Sequence, residues 1–192
     1  MPWTRTTLRD ARRMPWKNGG GTTLELAVDP PGATFDTGFA WRLSTAEVAA
    51  SGPFSAFPGL ERTLLLLAGD GFQLDFGPHG QVRLDRPLDP VHFDGGWPAR
   101  ADLLGGPCRD FNLMADPDRC RARLESRALD RPIRLALDAS TTLVFVPWGT
   151  VSVPVLDLHL GQGHLLRIEQ GAGDLELLPG YGGGAVVIVR VD

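Results

Sequence analysis

The chain has 192 residues, 43% of them hydrophobic, and a formal net charge of -4, which suits a globular fold with one large core or two small interlocked ones. Its arginines are dispersed apart from Arg119, Arg121, Arg123 and Arg127, so no nucleic-acid footprint stands out, and no stretch approaches the ~18 apolar residues of a membrane span. No apolar segment leads to a small-residue cleavage site, and Cys108 and Cys120 lie outside any C-x-x-C pair or histidine cluster; the expectation is a cytoplasmic protein with structural thiols.

In chain order, the first segment to stand out is Met14 to Gly21, which holds Trp16, the chain's single lysine, Lys17, and Asn18, one of only two asparagines. Scarce Lys, Asn, Ile and Tyr point to a genome biased against AT-rich codons, in which surface lysines have become arginines. A lysine that persists is a candidate for a place where a planar guanidinium does not substitute for a compact ammonium; chance is the other explanation. From Trp41, period-two alternation puts Arg42, Ser44 and Ala46 on one strand face and Trp41 and Leu43 on the other. Ser44 to Ala50 is also the one stretch that reads as a helical turn. Thr63 to Ala68, Gly69 to Gly71 and Phe72 to Phe76 read as a hairpin closed by Asp-Gly, and Gly77 to Gly80 reads as the next turn. Around the second asparagine, Asn112, alternation groups Asp110, Asn112 and Met114.

Cys120 to Leu129 alternates most clearly: Arg121, Arg123, Glu125 and Arg127 share one face, so the arginine cluster reads as the solvated side of a strand. Further strands are expected at Ile133 to Leu137, Thr142 to Val146, Val151 to Leu160, His164 to Glu169, Leu175 to Leu178 and Ala185 to Val191. With 24 Gly and 16 Pro punctuating short alternating runs, the chain reads as all-β. No low-complexity linker divides it, so one compact unit is expected.

Five motifs occur in order: Met14-Pro-Trp-Lys-Asn-Gly-Gly-Gly-Thr-Thr-x-Glu25, Trp41-Arg-Leu-Ser-x-Ala-Glu47, Gly52-Pro-Phe-Ser-x-Phe-Pro-Gly-x-Glu-Arg62, Leu67-Ala-Gly-Asp-Gly71 and Leu104-Gly-Gly-Pro-x-Arg-Asp-Phe-Asn-Leu-Met114. Together they resemble the HutD/Ves family. The resemblance implies a bicupin, two cupin (jelly-roll) barrels in one compact chain, one spanning roughly 14–115 and the other roughly 116–192, with strands open to exchange between them. It also implies an accessory or regulatory role in histidine utilisation, with no catalytic activity attached.

Metal-binding cupins carry a His-x-His motif followed by Glu before a Gly-rich turn. Anchored on Glu61 and the Gly69 to Gly71 turn, the histidine slots fall on Phe54 and Ala56, or on Ser55 and Phe57; the later histidine slot falls on Pro98. The four histidines, His79, His92, His159 and His164, show no i, i+2 pairing. A first-row metal needs about three clustered N or O ligands, so neither a metal nor another cofactor is expected.

The residues left for a pocket are cationic and amide-rich. Lys17, Arg42, Arg62 and Arg109 are the candidate cations, with Arg42 either a ligand contact or a buried ion pair with Glu25, Glu47 or Asp110. Trp16, Trp41, Phe54 and Phe57 are candidates for an apolar wall or for core packing. The expected ligand-binding set is Trp16, Lys17, Asn18, Arg42, Ser44, Phe54, Arg62, Asp110 and Asn112, with no catalytic residue assigned. The expected ligand is a small anionic metabolite, with urocanate or formylglutamate as candidates; nucleic acid and membrane are not expected as partners, and a homodimer is among the expected assemblies. The alternative is a cofactor-independent enzyme using Lys17 as base or Schiff-base nucleophile with Glu25 or Glu47.

Overall fold

The structure, a computed structural model, describes residues 1–16 and 20–192. Strand β1 (Trp3–Thr7) comes first. Strands β2 (Arg12–Pro15), β3 (Gly21–Asp29), β4 (Trp41–Val48), β5 (Gly52–Phe54) and β6 (Glu61–Ala68) follow, then β7 (Phe72–Asp75), β8 (Gln81–Leu84), β9 (Pro90–Asp94), β10 (Ala99–Leu103) and β11 (Cys108–Ala115). The remaining strands are β12 (Ala122–Leu129), β13 (Ile133–Ala136), β14 (Thr141–Phe145), β15 (Gly149–Val153), β16 (Leu158–Gly161), β17 (His164–Glu169) and β18 (Asp174–Val191). Among the described residues, helix is confined to two single 3-10 turns, Gly77–His79 and Pro154–Leu156.

The chain divides into two compact units, residues 11–121 and residues 1–10 with 122–192. In the first, a six-stranded sheet (β2-β3-β4-β11-β6-β9) and a four-stranded sheet (β5-β10-β7-β8) enclose a core. Leu64 and Leu66 of β6 meet Phe72 and Leu74 of β7, Leu84 of β8 and Ala101 of β10, each nearly sealed from solvent. Alternation drives this packing, because every second residue of a strand faces the opposing sheet.

The second unit takes its first strand from the N-terminus: β1 lies antiparallel to β17, in the order β1-β17-β14-β18-β15-β16. Its interior is filled by Leu, Val and Ile side chains, among them Leu135, Val144, Val151, Leu160, Leu166, Leu177, Val186 and Ile188. Branched residues pack well on a pleated surface, which is why they dominate this interior.

Four expectations change. Ser44 to Ala50 is not helical; through Val48 it is β4, flanked on both sides by β3 and β11, because central sheet pairing overrides a local helical preference. Gly69 to Gly71 does not close a hairpin, since β6 pairs with β9 and β11 while β7 pairs with β8 and β10. It is a corner that carries the chain from one sheet to the other, with Gly69 and Gly71 at φ 92° and 83°. Val151 to Leu160 breaks at the Pro154 turn and at Asp157, which is left-handed, giving the β15–β16 hairpin. The two last expected strands are halves of β18, which pairs with β13 and β15 up to Pro179, meets β15 again at Gly184, and pairs with β12 from Gly184 and β14 from Val187 onward. The Gly77 to Gly80 turn, by contrast, joins β7 to β8 as expected, and Arg123 and Arg127 of β12 are exposed.

Candidate functional site

The six-stranded sheet of residues 11–121 presents three cross-strand rows on one face. The first is Val28–Arg42–Met114–Arg62–Phe93, the second Glu25–Ser44–Asn112–Leu64, and the third Thr23–Ala46–Asp110–Leu66. Residues directly opposite one another point the same way, so β4, β6 and β11 bring polar groups from three distant parts of the chain onto one face. The middle members of these rows line a cavity of about 730 Å³, within the ~300–1,000 Å³ usual for small-molecule sites. Its wall includes Arg42, Ser44, Arg62, Asp110, Asn112 and Met114 from the sheet, and Trp16, Phe35, Phe54 and Phe57 around them.

Both guanidinium groups are buried, but their partners differ. Arg42 donates its Nε–H to Glu25 Oε2 at 2.6 Å and lies 5.2 Å from the Phe35 ring centroid. Arg62 donates its Nε–H to Asn112 Oδ1 at 3.4 Å, and among the described residues no carboxylate oxygen lies within 4.0 Å of it. In place of a contacting carboxylate it meets aromatic faces: Phe93, Phe57 and Phe54 centroids stand 5.0, 5.5 and 5.9 Å from the Arg62 guanidinium carbon. Burial draws Arg62 down to about 10, with Arg42 adding to that pull and Asp110 opposing it, so the group stays charged at neutral pH. Asp110 Oδ1 accepts the Ala46 N–H at 3.2 Å. Burial pushes its carboxyl up to about 7, against the Arg62 charge and the Ala46 N–H.

The apolar side is aromatic. Trp16 donates its indole N–H to Thr23 Oγ1 at 2.8 Å and meets Phe54 edge-on at 5.8 Å. Phe57 stacks on Phe35 at 4.6 Å. With Asn112 Oδ1 turned to Arg62, the amide N–H groups of Asn112 and the Ser44 hydroxyl add donors to the cavity.

The cavity does not suit a metal ion. Among the described residues its wall carries no histidine or cysteine and one carboxylate, Asp110, short of the ligand count a first-row metal requires. Phe54, Ser55 and Phe57, which occupy the histidine slots in the sequence, line this wall. The histidines are engaged or placed elsewhere: His79 stacks on Trp97, His92 meets Thr63 and His159 meets Ser152, while His164 lies on β17 in the other unit.

Of the residues singled out from sequence, Trp16, Arg42, Ser44, Phe54, Arg62, Asp110 and Asn112 line one cavity. Lys17 and Asn18 lie outside the described residues. Trp41 is buried in β4 on the face away from Arg42, so it packs and does not form the wall. Arg109 and Glu47 are exposed, on the outer side of the same sheet. Arg42 resolves to an ion pair with Glu25. Sequence reasoning missed Phe35, which reaches the wall from the loop between β3 and β4, and Met14 and Thr23; Thr23 was legible as the residue two before Glu25 on an alternating strand.

A protein-family model described as HutD matches residues 8–183. An uncharacterised 21.2 kDa protein of the hutC 3' region of Pseudomonas putida is 42% identical over 175 residues, covering 88% of this chain and 87% of that protein. Protein Ves of Escherichia fergusonii is 35% identical over 188 residues, covering 90% and 95%. HutD from Pseudomonas fluorescens SBW25, solved in a formate condition, superposes with a TM-score of 0.86 at 35% identity, over 99% of this chain and 98% of that one. A conserved protein of unknown function from Pseudomonas aeruginosa PAO1 gives 0.89 at 34% identity over the whole of both chains. The Escherichia coli pirin in complex with nickel(II) gives 0.73 at 9% identity, over 98% of both chains, and carries the fold alone. A nearly helix-free chain superposing on proteins of the cupin fold, with family signatures across nearly its full length, belongs to the HutD family of cupin-fold proteins.

Proposed function

We propose that this protein binds a small carboxylate metabolite of histidine degradation, with urocanate and formylglutamate as the leading candidates, and acts as an accessory or regulatory component of histidine utilisation. The observation that carries the reading is Arg62: a buried guanidinium with no carboxylate within 4.0 Å among the described residues, held by Asn112 and facing a cavity of about 730 Å³. A buried charge with no carboxylate in ion-pair contact is costly, and a planar fork matches a carboxylate through two parallel hydrogen bonds. Asn112 and Ser44 supply further donors, and Trp16, Phe54 and Phe57 give an aromatic, apolar wall for the rest of the ligand. The HutD family membership supports the metabolic setting. In this reading the protein is a cytoplasmic bicupin whose residues 11–121 hold the ligand, while the other unit, filled by apolar side chains, supports the fold. Ligand chemistry without turnover is favoured because Glu25 is committed to Arg42 and Glu47 faces outward, which leaves neither as a free acid-base partner.

Calorimetric titration with formylglutamate and urocanate tests the proposal, with Arg62→Met as the control. Saturable binding that the variant loses is the expected result; equal binding by both proteins, or by neither, rejects it.

A further inference from the structure

The cavity contains a buried acid that carboxylate recognition by Arg62 leaves without a role. Asp110 is 2% exposed and lines the same wall as Arg62 and Asn112. Among the described residues no Lys, Arg or His nitrogen comes within 4.0 Å of its oxygens, and its Oδ1 accepts the Ala46 N–H. The charged and titratable groups around it are few. On its own strand, β11, Cys108 is a thiol held neutral by burial, up to about 12, and Arg109 is exposed. From β4, Arg42 is matched by Glu25 of β3, and Glu47 is exposed. From β6, Glu61 is exposed and Arg62 faces the cavity. Among the described residues, Arg62 is therefore the charge that favours an ionised Asp110, alongside the Ala46 N–H.

A carboxylate docked on Arg62 takes over that counter-charge and stands as a second anion in the same desolvated space. Two carboxylates so placed share a proton in preference to both ionising. We infer that Asp110 takes up one proton when a carboxylate ligand enters the cavity and, as a neutral acid, donates a hydrogen bond to it, so that Asp110 sets both the pH response of binding and the preference for a ligand rich in acceptors. This rests on the carboxylate reading of the pocket. The balance is simple: solvent supplies the proton, the Asp110 carboxylate becomes a carboxylic acid, the ligand keeps its charge, and no covalent bond between heavy atoms changes. An O–H donated to a carboxylate is among the stronger hydrogen bonds. Because burial already brings the free Asp110 carboxyl up to about 7, affinity should be flat at lower pH, where the acid is already protonated. Above that point it should fall, by up to about tenfold per pH unit.

Formylglutamate is the probe, since its own carboxyls do not titrate near neutrality. It is titrated calorimetrically into the full chain at about pH 6, 7 and 8, in phosphate and in Tris, and the dependence of the heat on buffer ionisation counts the protons exchanged. Uptake approaching one proton per ligand at about pH 8, fading at about pH 6, is expected. In Asp110→Asn, which retains an oxygen for the Ala46 N–H, uptake should vanish and affinity should lose its pH trend. Binding without proton uptake, or uptake that persists in the variant, overturns the coupling and leaves the carboxylate reading standing. Failure of the wild-type protein to bind formylglutamate or urocanate removes that reading, and the coupling with it. If Asp110→Asn does not fold, the wild-type proton count decides.

Discussion

Arg42 and Glu25 form a buried ion pair, Nε to Oε2 at 2.6 Å, with 5% and 12% of their side chains exposed. A register shift between Glu25 and Ala27 places Glu25 opposite Ser44, one row from Arg42, and within reach of its guanidinium. Arg42 is thereby neutralised inside the sheet. Arg62, on the same row across Met114, is left, among the described residues, as the buried cation available to an incoming anion.

Breaking that pair from one side should be costly. Glu25→Leu is expected to lower stability by about 3–5 kcal/mol, because it strands a buried guanidinium. Glu25→Leu combined with Arg42→Leu should recover most of the loss. Urea melts of the two single variants and the double variant measure both outcomes, and additive losses would contradict them.

Arg62→Met should weaken formylglutamate binding by about 2–3 kcal/mol, the value of a buried charge-assisted contact. Arg62→Lys should not restore it. A guanidinium plane lies against Phe54, Phe57 and Phe93, whereas an ammonium offers neither the fork nor the stacking surface. Titration calorimetry on the three proteins checks the order.

Stability should respond to pH through Asp110. Its folded carboxyl is raised to about 7 from the ordinary value of 3.8, so the folded state holds this proton more tightly than the unfolded chain. The stabilisation is full below the unfolded value and is lost as pH rises through the folded one. Between about pH 4 and pH 7, wild-type stability should therefore fall relative to Asp110→Asn, by an amount on the order of a few kcal/mol. Thermal melts of both proteins across that window supply the comparison; parallel curves would show that Asp110 is not the titrating group.

The corner between β6 and β7 should tolerate no side chain at its second glycine. Gly71 has φ 83°, and an added Cβ would lie 1.8 Å from the Leu84 carbonyl oxygen. Gly71→Ala should cost more than the ~1–2 kcal/mol of a left-handed conformation alone, since backbone must also move. Gly80→Ala, at φ 96° and ψ -167° with open space around it, should cost only the ~1–3 kcal/mol of that glycine-favoured backbone conformation. Denaturant midpoints of the two variants separate the effects.

The all-β character, the strand faces and the membership of most of the pocket were legible in the sequence. Period-two alternation is a local property, and it places Arg42 with Ser44, and Asp110 with Asn112, whatever the sheet does next. Family motifs extended this to Arg62 and Phe54. Local pattern has no access to pairing partners. Gly69 to Gly71 has the residues of a hairpin, yet it turns between sheets, because β6 finds β9 and β11 and β7 finds β8 and β10. The single register shift after Glu25 chose among Glu25, Glu47 and Asp110 as the partner of Arg42, and so decided which arginine remains for a ligand. Phe35 joined the pocket only through the path of the loop between β3 and β4. Contacts between residues far apart in the chain depend on register and loop course, and these are set by the packing of whole sheets, which no single segment encodes.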